Sequence, residues 1–351
     1  MTEPERPWKT ATRPPEVAEE ATVRVFRVPP ESAGMRVDVF LASVFRNTSR
    51  TRAKLIADSA VYTADGGRKV KSNDRVRAED QLAVWRIPPE ETDVAVDLPA
   101  LYEDPHLVVI DKPPMIAVHP TARYHSITVI KLLQSRSPGQ FFSLVHRLDR
   151  ETSGVLLCGK SKAADRAFKR MLEDRSIAAA SHGTLRRQAV DLPIRKTYLA
   201  ITRGVPEEGI IDLPMERDPE NSLRVKMRVA TGALESQTRV SVLAVTSGSA
   251  YALVSCGLLT GRQHQIRVHL SAVGCPVVGD KLYGADERLL ARAADGELTA
   301  EDHERLELPR HALHAHRYEL PHAVTGESLD LVSPLPPDLW DFWVSRGGEP
   351  L

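Results

Sequence analysis

The 351-residue sequence predicts a chain of both α-helices and β-strands, arranged as a small N-terminal domain and a larger domain after it. Three observations carry this. Apolar residues recur at helical spacing at Val37, Phe40, Leu41 and Val44, and again at Ala164, Phe168, Met171 and Leu172. Short apolar runs, Leu107 to Ile110 and Val155 to Cys158, have the length of buried strands. Between the two groups stands Pro88-Pro89-Glu90-Glu91-Thr92-Asp93, where prolines restrict the backbone and acids discourage burial, so 88–99 reads as a linker.

Composition narrows the classes. Forty-seven basic and 47 acidic residues cancel, so the chain as a whole lacks the positive charge of a nonspecific nucleic-acid coater, and any such partner needs a local basic face. Cys158, Cys256 and Cys275 are isolated in sequence, which argues against a disulfide framework and fits buried thiols in a reducing compartment. No apolar run is long enough to span a membrane, and the N-terminus lacks a secretion signal, so a cytoplasmic protein without a membrane partner is expected. Residues 1–20 mix charge with proline and read as a flexible tail.

The first domain is expected over 21–87. Its first helix carries Val37 to Val44; a second, around Ala53, Leu55 and Ile56, would be capped by Ser49 or Thr51 and display Arg50, Arg52 and Lys54. Asp65-Gly66-Gly67 marks a turn before a basic strand holding Arg68, Lys69 and Lys71, and Leu82 to Trp85 reads as another strand. Taken alone, these cations fit an ordinary solvated face.

In the larger domain, 100–345, the strand Leu107 to Ile110 is ended by Lys112-Pro113-Pro114, and His119 lies at a cleft entrance or in the core. The segment His146-Arg147-Leu148-Asp149-Arg150-Glu151-Thr152-Ser153-Gly154 puts one carboxylate between two guanidinium groups in a loop. Permanent cations favour the ionised aspartate, suiting Asp149 to be a nucleophile or charge stabiliser rather than a proton donor. After the strand Val155 to Cys158, a helix capped by Ser161 carries Arg166, Lys169 and Arg170 on its exposed side, facing either phosphates or water. Arg186-Arg187 and Arg195-Lys196 add basic chain near Tyr198. Leu199 to Ile201, Arg224 to Val229 and Tyr251 to Ser255 are strand-like. Gly261 opens a turn before Arg262, and Ile266, Leu270 and Val273 define a helix face ended by Gly274, with Arg267 off that stripe and able to reach a carboxylate.

His264, His269, His311, His314 and His316 lack the spacing of a metal motif and read as polar or packing histidines, and no glycine pattern cradles a nucleotide. No cofactor and no metal are expected.

The nonapeptide resembles the HRLDxxTSG motif of the RluA family of RNA pseudouridine synthases. Leu107 to Pro113, Val118-His119-Pro120, Lys196-Thr197-Tyr198, Thr260 to Leu270, Gly279-Asp280 with Tyr283-Gly284, and Leu313-His314-Ala315 resemble further family motifs in order, from about Tyr102 to about Phe342. Gln263 stands where family members often carry Thr. The resemblance implies an α+β fold, with a mixed, mostly antiparallel sheet and central cleft, preceded by a small alpha-L type RNA-binding domain. Family versions of that domain usually have a glycine before the first strand's valine and an Asn-Gly turn, where this chain has Asp58-Ser59-Ala60-Val61 and Asp65-Gly66-Gly67.

It also implies isomerisation of uridine to pseudouridine in structured RNA, with large-subunit ribosomal RNA the leading substrate and tRNA the other. Asp149 would assist cleavage of the glycosidic bond, Tyr198 would stack on the base, and Arg267 would pair with Asp149. Arg147 would hold a phosphate or fill the gap left by the extruded base. Arg150, Arg262, Arg50, Arg52, Lys54, Arg68, Lys69, Lys71, Arg166, Lys169 and Arg170 are the candidate RNA contacts, and no obligate protein partner is expected. A noncatalytic RNA-binding or ribosome-assembly protein would explain the basic patches alone, and a nucleosidase would use the same carboxylate but release free base.

Overall fold

The computed structural model describes residues 11–19, 21–45, 48, 50–86, 96–120, 127–180, 194–221, 225–284, 286, 288–295 and 297–349. Two compact units emerge, one of residues 1–92 with 122–125, the other of 93–121 with 126–351.

The smaller unit holds β1 (Thr22–Arg27), α1 (Val37–Val44), α2 (Arg50–Ala60), β2 (Val61–Thr63) and β3 (Gln81–Arg86), its antiparallel sheet ordered β1-β3-β2. Val37, Phe40 and Leu41 of α1 meet Ala53 and Ala57 of α2 over Val61, Leu82 and Val84. Leu55 departs from the expected apolar face: two residues from Ala53 it points the opposite way and is 66% exposed. Thr51 lies inside α2 and Ser49 outside the described residues, so the expected cap is not found. The basic strand at 68–71 shrinks to a bridge between Lys69 and Tyr62, because Asp74 takes the Lys71 N–H and the Arg68 guanidinium and turns the chain away. Part of the expected tail is structured. Thr12 N–H donates to the Ala64 carbonyl, and Ala11 and Val17 cover Tyr62, Ala83 and Trp85, an apolar sheet face that would otherwise meet water. Residues 1–10 and 20 lie outside the described residues.

Of the expected linker, 88–95 lie outside the described residues, while Leu98 is buried in the larger unit's core and Pro99 accepts the Asp111 N–H. That unit contains β4 (Ala100–Glu103), β5 (Leu107–Lys112), α3 (Val129–Arg136), β6 (Ser143–Leu144), β7 (Ser153–Gly159), α4 (Lys162–Ala180), β8 (Arg195–Arg203), β9 (Gly209–Asp212), β10 (Met215–Arg217), β11 (Met227–Val229), β12 (Gln237–Val245), β13 (Tyr251–Leu258), α5 (Gln265–Ala272), α6 (Arg288–Asp295), α7 (Ala300–Leu306), β14 (Leu313–Pro321), β15 (Ser328–Val332) and α8 (Pro337–Ser345). Among the described residues, ten strands form one sheet, β4-β5-β7-β14-β8-β13-β12-β9, with β6 on β7 and β15 on β14. It is antiparallel except where β14 runs beside β7, so the fold is α+β with a mixed, mostly antiparallel sheet.

Local sequence explains the frame. Every residue of β7 is buried, as its apolar run requires, and Ser161 Oγ accepts the Ala164 N–H to start α4, whose Ala164, Phe168 and Leu172 enter the core. The strand expected from Arg224 keeps only Met227–Val229, paired with β10; residues 222–224 lie outside the described residues. Gly154 has φ +105°, and a Cβ there would lie 2.2 Å from the Ala315 carbonyl oxygen, so only glycine lets β7 approach β14. The register then aligns Ser153 with His314 and Ala315 with Tyr198 across three neighbouring strands. Among the described residues no helix is long and apolar enough to cross a membrane.

Candidate active site

Asp149 lies in the loop joining β6 to β7, and that loop is fastened from several sides. Lys112, fully buried at the end of β5, donates to the carbonyls of Pro113 at 2.7 Å, Arg150 at 3.1 Å and Thr152 at 2.8 Å. Glu151 binds Lys281 Nζ at 2.8 Å and accepts the His311 N–H at 3.0 Å, while Arg310 donates to the Glu151 carbonyl. Thr152 Oγ1 meets His311 Nε2 at 2.7 Å, and Ser153 Oγ meets His314 Nδ1 at 2.9 Å. Backbone donors and acceptors that would be orphaned in the interior are thus satisfied. The Asp149 side chain nevertheless keeps 28% of its surface exposed, so a ligand can reach it.

Arg267 reaches Asp149 from α5. Its Nη1 donates to Asp149 Oδ2 at 2.8 Å, while Nε and Nη2 grip Asp280 at 2.6 and 2.8 Å. Asp280 is itself pinned by the N–H groups of Leu282 and Tyr283. Sequence spacing put Arg267 off the packed face of its helix; instead it is buried, because the Asp280 carboxylate satisfies its planar fork in the interior. Burial opposes ionisation of Asp149, but His264, Arg267 and His311 outweigh it, and the carboxyl is pulled down to about 2. Arg267 is likewise pushed above its ordinary value, since Asp280 and Asp149 overcome the effect of burial.

His264 caps α5 with φ +58°, a conformation rare for a residue with a side chain. Its Nε2 stands 3.5 Å from Asp149 Oδ1, and its Nδ1 is 2.8 Å from the Tyr283 hydroxyl. That hydroxyl also accepts the Met227 N–H at 2.9 Å, so the ring is held with its Nε2 edge toward Asp149. Burial lowers the pKa of the ring, with Asp149 acting in the opposite direction.

Tyr198, buried on β8, hydrogen-bonds through its hydroxyl to that of Tyr318 and lies within the field of Asp149. Burial is the main reason its hydroxyl is pushed up to about 12. Asp149, Arg267 and Tyr198 are therefore brought together from a loop, a helix and a strand.

The other cations spread more widely. Arg147 is exposed, and its charge reaches both His119 and His264. Arg150 is half-buried, its carbonyl held by Lys112. Arg262, also half-buried, spends its Nε on the Glu235 carbonyl. Arg166, Lys169 and Arg170 are exposed on α4, where Lys169 pairs with Asp165 at 2.9 Å. In the smaller unit Arg50, Arg52, Lys54, Arg68, Lys69 and Lys71 are all exposed; Arg50 approaches Asp38 at 3.6 Å and Arg68 pairs with Asp74 at 2.9 Å. Arg186 and Arg187 lie outside the described residues.

Sequence reasoning read His264 and His311 as polar or packing histidines rather than metal ligands, and gave Asp280, Lys112 and Glu151 no role at the site. A usable signal existed for Asp280. It follows Gly279, where φ is +75° and a Cβ would meet the Arg310 carbonyl oxygen at 2.0 Å, and an acid fixed by such a turn is well placed to orient a partner. His311, His314, His269 and His316 hydrogen-bond to Thr152, Ser153 and Ser333, Leu213, and Ser333 respectively.

Residues 106–272 match the family model described as RNA pseudouridylate synthase. Similar chains include ribosomal large subunit pseudouridine synthase D of Xanthomonas campestris, 32% identical over 91% of this chain and 91% of that one. The protein of the same name from Pseudomonas aeruginosa is 34% identical, covering 90% and 94%. Among solved structures, human RNA pseudouridylate synthase domain containing 1 superposes with a TM-score of 0.53 at 26% identity, covering 75% of this chain and 93% of that one. Near-complete alignment with such relatives, around a carboxylate held ionised on a rigid loop, establishes that this chain belongs to the RluA-like family of RNA pseudouridine synthases.

Proposed function

We propose that the protein isomerises uridine to pseudouridine in large-subunit ribosomal RNA, with Asp149 acting at the sugar of the target nucleotide. The observation that carries this reading is the ionised Asp149, gripped at 2.8 Å by Arg267 yet still open to a ligand. The end-to-end likeness to enzymes named for the large ribosomal subunit supports the choice of RNA.

The chemistry is a balanced rearrangement. The N1–C1′ bond breaks, the base turns, C5 bonds to C1′, the C5 proton leaves and N1 gains one. No electrons are exchanged and nothing is hydrolysed. Asp149 either attacks C1′ or removes the 2′ proton, and both routes begin from an anion, as the adjoining guanidinium favours. Tyr198 lies against the unstacked base and Arg147, exposed nearby, holds the nucleotide phosphate. The remaining exposed cations give backbone affinity that salt weakens. Three buried free thiols, Cys158, Cys256 and Cys275, support a cytoplasmic setting.

The test is to incubate the protein with large-subunit ribosomal RNA and, separately, tRNA, then digest to nucleosides. Pseudouridine in the ribosomal RNA is expected, and Asp149→Asn should lower its formation by roughly 10³-fold or more while RNA binding persists. Released uracil, or bound RNA with unchanged uridine, would overturn the reading; modification of tRNA alone would overturn the choice of RNA.

A further inference from the structure

Tyr318 is a buried phenol that neither the motif likeness nor the reaction above uses. It lies on β14, 1% exposed, and its hydroxyl meets that of Tyr198. The ring is gripped on several sides: the His146 ring stands 5.0 Å away, Lys196 Nζ lies 5.6 Å from its centroid, and the Tyr198 ring is at 6.1 Å. His146 is fixed in turn, its Nε2 accepting the Leu157 N–H at 3.2 Å.

One of two hydrogen-bonded phenols must donate and the other accept. Among the described residues Tyr198 is the only hydrogen-bond partner of the Tyr318 hydroxyl. Each hydroxyl has the other as its partner, but Tyr318 is the more deeply buried, 1% against 6% exposed, so stranding the Tyr318 proton is the costlier arrangement. With Tyr318 donating, its proton is satisfied, and the Tyr198 proton is the one left over in the pair.

We propose that Tyr318 is a positioning residue, which by donating to Tyr198 fixes its hydroxyl and reserves the Tyr198 proton for the target base. This rests on the reading of Tyr198 as the residue against that base. Tyr318 touches no substrate and acts only through Tyr198. Lys196 and His146 pack against the ring and hold its hydroxyl against that of Tyr198.

The experiment measures single-turnover conversion of ribosomal RNA, RNA affinity and thermal melting for Tyr318→Phe, Tyr198→Phe and the double variant. Tyr318→Phe removes one oxygen and keeps the ring. Its conversion rate should fall about tenfold, with RNA affinity within about twofold of wild type, and the double variant should be no slower than Tyr198→Phe alone. Tyr318→Leu, which also removes the ring, should lose melting temperature as well as rate. The proposal is overturned by a wild-type rate in Tyr318→Phe, by a deficit that vanishes at saturating protein, or by losses that multiply in the double variant. Full activity of Tyr198→Phe would instead sink the reading of Tyr198, whereas a slow Tyr198→Phe beside a fast Tyr318→Phe sinks this inference alone.

Discussion

Arg267 divides one guanidinium between two carboxylates, with a single arm on Asp149 and a two-pronged grip on Asp280. The grip fixes the plane of the fork, and the fork fixes Asp149. Lysine offers a point charge with no plane, so Arg267→Lys preserves the sign of the charge and loses the geometry. Single-turnover conversion should fall by roughly 10²-fold, with RNA affinity little changed; an Arg267→Lys protein as fast as wild type would show that charge alone is needed.

The same pairing sets the acid side of the pH profile. Asp149 is drawn from 3.8 down to about 2, so its ionised form is fully populated above the ordinary carboxylate range and is lost only as pH falls through the depressed value. The conversion rate should therefore carry no acid limb from Asp149 between about pH 4 and 8. Replacing Arg267 by Ala removes the permanent cation, so the limb should move upward in pH, which a pH–rate series on both proteins will detect.

Asp280 should matter more to stability than its distance from the substrate implies. It is buried, neutralises Arg267 and accepts two backbone N–H groups. Asp280→Ala leaves Arg267 with Asp149 alone and strands the Nε and Nη2 donors in the interior, and chemical denaturation should show a loss of about 3–5 kcal/mol.

Gly154→Ala tests the frame. The added carbon would lie 2.2 Å from the Ala315 oxygen at a backbone angle that side chains avoid, so β7 and β14 must separate. The expected destabilisation exceeds the ~1 kcal/mol typical of a point change, and activity should fall with it, since the Asp149 loop ends at this strand. Thermal melting and conversion assays on the one variant check both.

Local chemistry was the legible part. The strands at Leu107 and Val155 declared themselves because nearly every residue in them is apolar and buried, and α4 because Ser161 caps an apolar stripe. Asp149 was visible through its cationic neighbours and its motif. Yet the cation that bonds it is Arg267, 118 residues away in sequence, while Arg147, two residues before it, faces outward. Glu151 and Lys112 were opaque as site residues for the same reason. Their roles come from the order of strands in the sheet, which no window of sequence encodes. Leu55 failed for a simpler cause, since an isolated apolar residue satisfies a helical pattern without lying on the buried face.

The insertion of β14 between β7 and β8 has a consequence for biosynthesis. Ser153 pairs with His314, so the central strand of the sheet leaves the ribosome only after both strands that flank it. Closing so large a loop is slow, and until it closes the two halves of the sheet have no seam. A nascent or C-terminally truncated chain ending before Leu313 should therefore lack the enzyme's working centre even though it already carries Asp149, Tyr198 and Arg267, so that arrival of β14, rather than synthesis of the motifs before it, marks the onset of catalysis.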